Sequence, residues 1–121
     1  MLYMVAFVYI VSGEAGTLHV DVTMSLMQAM WVHKTGADPE APVTDRCEKL
    51  VYYERCHNIR DAHARKEELT AAARPDLEAM IQRRNPGWDD LSAPWFPIAS
   101  HGLPLSPTAI VELQAGKITV H

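Results

Sequence analysis

Among the residues of this chain that could move protons or bind a metal near neutral pH are six histidines and two cysteines. Imidazole is the side chain whose ordinary titration falls closest to neutrality, so a strand histidine such as His19 is suited to general-base work. A metal reading is weaker. His19, His33, Cys56, His57 and His63 are zinc-capable, yet none forms the Cys-x-x-Cys or His-x-x-x-His spacing that marks a structural zinc site. No Gly-rich phosphate loop, nucleophile elbow or zincin motif occurs. The two cysteines, Cys47 and Cys56, are too few for a disulfide framework and read as free thiols in a reducing compartment.

These residues have to be positioned by regular elements. Val5-Ala6-Phe7-Val8-Tyr9-Ile10-Val11 is β-branched and aromatic, Ser12 to Gly16 is turn chemistry, and Thr17 to Thr23 alternates with period two. Together they predict a β-hairpin. Leu26, Met30 and His33 then fall at helical spacing, and Thr23 or Ser25 can cap the helix. Lys34 to Arg46 contains Gly36, Pro39 and Pro42 and reads as a surface loop. Lys49 to Glu54 is a third strand. Asn58 can cap a helix over 58–73 whose apolar stripe is Ile59, Ala62, Leu69 and Ala73. Pro75 opens a further helix to Arg84, with Asp76 and Glu78 near its positive end, and Asn85-Pro86-Gly87 stops it. Residues 92–121 carry Pro94, Pro97, Pro104 and Pro107, with strand-like runs only from Ala109 to Val120. That stretch reads as an irregular extension that folds back as a hairpin or stays mobile.

The expected fold class is therefore α/β of the α+β kind: a small, mainly antiparallel three-stranded sheet flanked by helices at about 24–35, 58–73 and 75–84. Residues 1–91 form the domain and 92–121 the Pro-rich extension. With 48% hydrophobic and 21% charged residues, the composition is that of an ordinary globular protein. The formal charge of −4, from eleven basic against fifteen acidic residues, disfavours tight nucleic-acid binding, which normally concentrates Lys and Arg on one face. The apolar N-terminal run lacks a basic start and is too short to span a bilayer. A cytoplasmic protein with no membrane partner is expected.

The order of these pieces resembles the small stand-alone GIY-YIG nuclease domains. The resemblance is carried by Phe7-Val8-Tyr9, by a second strand motif His19-Val20-Asp21, and by the helix ending at His33-Lys34. It continues through Leu50 to Glu54, Ala62-His63-Ala64-Arg65, and Asn85-Pro86-Gly87-Trp88-Asp89-Asp90-Leu91. It covers roughly residues 3–91.

The resemblance implies metal-assisted hydrolysis of DNA phosphodiesters with Mg or Mn as cofactor. Tyrosines and the helix-end histidine would surround the attacking water, an arginine would steady the phosphate, and a carboxylate on the central helix would hold the cation. On this pattern Tyr9 and His33 match, and Asn85 matches an asparagine near the site. His19 stands in place of the second tyrosine and Asp21 in place of a glycine. Ala29 occupies the position of the phosphate-binding arginine, and Lys66 that of the metal-binding glutamate. Glu67 is the substitute metal ligand on offer, but one residue along a helix turns a side chain by about 100°. Arg65 reads as a solvated helix residue or an ion-pair partner more readily than as a DNA contact.

The resemblance thus implies an endonuclease-family domain whose activity is impaired or lost, with the metal present only if it is active. The alternative is a non-catalytic module on the same scaffold that binds a protein or nucleic-acid partner, through the extension or another surface.

Overall fold

A computed structural model describes residues 5–36, 46–96 and 105–114, the last four of these in backbone only. The first strand, β1 (Ala6–Gly13), is the centre of a three-stranded antiparallel sheet, between β2 (Leu18–Thr23) and β3 (Cys47–Cys56). Its unbroken apolar run explains the central place, because a strand covered on both faces has no need to alternate. β2 alternates instead and is half-buried along its length. Tyr9 lies opposite Asp21 on β2 and Tyr53 on β3, and Val11 lies opposite His19. Directly opposed residues share a face of the sheet, so Tyr9, Val11, His19 and Asp21 point to one side and Val8, Ile10, Val20 and Val22 to the other.

The two faces bury against different helices. On the Tyr9 side lies α1 (Leu26–Thr35), contributing Leu26 and Met30. Ser25 caps it by accepting a hydrogen bond from the Gln28 amide at 3.2 Å, and Gly36 ends it at φ +72°, a left-handed conformation suited to glycine. On the Val8–Ile10 side lie α2 (Ile59–Ala71) and α3 (Arg74–Arg84), contributing Leu69, Leu77 and Ile81. Asn58 caps α2 through its carboxamide oxygen, which accepts from the Asp61 amide at 2.8 Å. α2 ends two residues before the expected boundary. Pro75 has no amide hydrogen to give and its ring crowds the carbonyl four residues earlier, so one helix cannot run through it; Ala72 turns extended and α3 starts at Arg74.

The third strand is irregular. Ile10 faces Tyr52 while Val11 faces Leu50, which leaves Val51 as an extra residue. The Leu50 amide donates to the Asp90 carboxylate at 3.1 Å, and its carbonyl accepts from the Leu91 amide at 2.8 Å. The segment after α3 is thus tied along β3.

The described part of 92–121 is packed structure. A short 3₁₀ turn spans Ala93–Trp95, and α4 (Pro107–Gln114) follows. Phe96 and Ile110 are buried in the same cluster as Tyr9, Val11, Leu26 and Met30. The hairpin reading from Ala109 is therefore corrected: the chain is helical as far as Gln114. Pro107 supplies a preset helical φ, and the Ser106 hydroxyl accepts from the Ala109 amide at 3.2 Å. The expected 34–46 loop lies for the most part outside the described residues, as does the remainder of the extension. No described helix is long and apolar enough to cross a membrane.

Candidate functional site

Three elements bring the candidate residues together. Tyr9 on β1 and His33 in the last turn of α1 meet in the core, with the phenol oxygen and His33 Nε2 3.1 Å apart. Both are nearly enclosed, at 3% and 5% exposure. The His19 ring on β2 lies edge-on to the His33 ring, with centroids 6.2 Å apart. Period two puts His19 and Asp21 on one face of β2, the register with β1 makes it the Tyr9 face, and helical spacing puts His33 in line with Leu26 and Met30, which are buried there.

The cluster continues to the surface through Asp21. His19 Nε2 stands 3.6 Å from one Asp21 carboxylate oxygen, and the Lys66 ammonium stands 3.3 Å from the other. That second oxygen also accepts from the Val22 amide at 2.8 Å. Burial pushes the Asp21 carboxyl up, but the Val22 amide, Lys66 and His19 outweigh it and hold the group below the ordinary carboxylate range. Lys66 comes from α2, which packs on the opposite face of the sheet from Tyr9. Its long side chain reaches Asp21 on β2, an outer strand of the sheet.

The other candidates are engaged elsewhere. The Arg65 guanidinium grips Glu54 with two nitrogens, each 3.0 Å from a carboxylate oxygen, and reaches Glu68 at 2.8 Å. Tyr52 donates its hydroxyl to the same Glu54. This fork faces β3, and burial, which raises the Glu54 carboxyl, is overcome by Arg65 and Tyr52, which hold it low. Asn85 is buried, and its amide nitrogen donates to the carbonyls of Val51 at 3.2 Å and Asp89 at 2.8 Å. Its oxygen accepts from the Asp89 amide at 3.0 Å. Those bonds hold a turn in which Trp88 takes φ +53°. Glu67 is exposed and lines a groove with His63, Lys66 and Thr70 of its own helix. Ala29 lies against the Tyr9-side core.

A divalent cation fits this donor set poorly. Magnesium and manganese need hard oxygen ligands carrying negative charge. Here the nearest carboxylate, Asp21, already holds an ammonium, and a cation placed beside it meets Lys66. Among the described residues no group of three or more His, Cys, Asp or Glu is arranged to hold a metal ion. Cys47 and Cys56 are not joined in a disulfide, and burial together with Glu54 pushes the Cys56 thiol up, away from its nucleophilic form.

Sequence reasoning missed two ion pairs. Asp21–Lys66 joins residues 45 apart in the chain, and only the lysine's length, combined with an outer-strand aspartate, hints at it. Lys34–Asp90, at 2.5 Å, joins the end of α1 to the segment after α3. Comparison of the chain with protein-family models, curated proteins and solved structures gave no match.

Proposed function

We propose that this chain is a GIY-YIG-type domain in which metal-dependent hydrolysis of DNA phosphodiesters is impaired or lost. The observation that carries the reading is the meeting of Tyr9, His19 and His33 from β1, β2 and α1, with Lys66 joined to the same cluster through Asp21. The resemblance implies such a grouping of phenol, imidazole and central-helix residue for the proton-handling part of a nuclease site. The groups that would handle charge differ. An ammonium stands where the metal-holding carboxylate would be, and Ala29 offers no positive fork to a phosphate. Removing one preorganised charge-stabilising group costs on the order of 10² to 10³ in rate, so two such losses leave at most about 10⁻⁴ of an intact site's activity.

The double variant Ala29→Arg/Lys66→Glu tests this. It is expected to bind manganese and to nick supercoiled plasmid in a manganese-dependent way that the parent chain does not show. A double variant that stays folded by circular dichroism, binds no metal and cuts nothing contradicts the assignment of both positions.

A further inference from the structure

Breaking a DNA backbone calls for an activated external water, and that is the task for which a metal is ordinarily recruited. RNA brings its own nucleophile, the 2′-hydroxyl next to the phosphorus. It asks only for a group to take a proton and return it, and for a fixed positive charge. Those groups stand side by side on β2 and α2. We propose that His19, with Asp21 and Lys66, forms a metal-independent site for transesterification of single-stranded RNA.

Exposure separates these three from the residues behind them. The side chains of His19, Asp21 and Lys66 are 31%, 35% and 35% accessible, whereas Tyr9 and His33 are enclosed. Asp21 touches both of the others, one carboxylate oxygen toward each, so it holds the imidazole and the ammonium on either side of itself. The His33 ring, held by Tyr9, backs the His19 ring edge-on. Beside them runs a groove of about 330 Å³ whose apolar lining includes Leu18, Val20, Leu69 and Leu77 and which His19 and Lys66 also line. A nucleobase has apolar faces suited to such a lining, which leaves its phosphate to the imidazole and ammonium. The acidic balance of the chain favours a short single strand, held locally, over a duplex bound along a basic face.

In the step, His19 takes the 2′-hydroxyl proton as that oxygen forms a bond to the adjacent phosphorus. Lys66 offsets the negative charge that gathers on the phosphorus oxygens. The bond from phosphorus to the 5′ oxygen breaks, its electron pair leaves with that oxygen, which takes a proton from solvent on the opposite side of the phosphorus, and the imidazolium gives its own proton back to solvent. The products are a 2′,3′-cyclic phosphate end and a 5′-hydroxyl end. No water, metal or oxidant is consumed.

The test incubates the full chain with a short fluorescent single-stranded RNA of mixed sequence, and with its DNA counterpart, in EDTA. The expected result is RNA cut to cyclic-phosphate ends, DNA left whole and no effect of the chelator. His19→Ala, purified identically, is expected to lower the rate about 10²- to 10⁴-fold, and Lys66→Ala about 10²- to 10³-fold. Asp21→Asn, acting through its two neighbours, lowers kcat and leaves KM in place. His19→Gln serves if the alanine variant fails to fold. No RNA cleavage in EDTA, DNA cut as fast as RNA, or full cleavage by a folded His19 variant overturns the proposal. It does not depend on nuclease ancestry, and the chelator and the DNA strand separate its failure from that of the function proposed above.

Discussion

Replacing Asp90 with alanine is expected to lower the unfolding free energy by about 3 kcal/mol, because one carboxylate holds three segments together. It accepts from the Lys34 ammonium at the end of α1, from the Leu50 amide on β3, and from the Ser92 amide and hydroxyl at 3.0 and 2.6 Å. Removing it leaves an ammonium that is only 15% exposed with the Glu48 carbonyl but no counter-charge, and strands an amide at the bulge. Chemical denaturation of the parent and the variant reads the loss directly. The pH dependence follows from the same contacts. Burial pushes the Asp90 carboxyl up, but Lys34, Ser92 and the Leu50 amide prevail and hold it below the ordinary carboxylate range. A group with a lowered folded pKa contributes its full stabilisation above its unfolded pKa, and that contribution fades as the pH falls through the folded one. The gap between parent and variant should therefore be whole at neutral pH and shrink below about pH 4.

The second large effect concerns Lys66. In Lys66→Glu two carboxylates meet beside His19, where the parent has an ion pair between half-exposed partners. Without metal the variant should lose about 1 kcal/mol, the worth of an exposed pair plus mild repulsion. With manganese it should recover and overshoot. A ligand at a hundred times its Kd adds about 2.7 kcal/mol, which for a chain of this size raises Tm by on the order of 10 °C. The parent, with an ammonium in that place, should show no such shift. Thermal unfolding with and without manganese checks both. A parent Tm that climbs equally would mean that the ion binds without regard to position 66.

These two positions also show what a reader of the sequence can and cannot see. The hairpin, α1 and the caps at Ser25 and Asn58 are legible because period and capping chemistry are local. That His19 and Asp21 share a face is legible for the same reason, but that it is the Tyr9 face depends on the hairpin register. The Lys66 contact is not legible, because α2 covers the other face and only a long side chain at an outer strand closes the distance. Asn85 and Asp90 belong to a stretch that the resemblance ties to the site's surroundings, yet their side chains are spent on backbone groups of β3 and the following turn. The stretch after residue 91 is the least legible. Four prolines erase any period, so the burial of Phe96 and Ile110 beside Tyr9 is visible only once α1 and the sheet are assembled.

Prolonged incubation of supercoiled plasmid with a high concentration of the unaltered chain, in magnesium and then in manganese, bears most directly on the claim that the metal-dependent site is disarmed. No nicking beyond that seen in EDTA is expected. Nicking that requires the metal and disappears in both Tyr9→Phe and His33→Ala would contradict it.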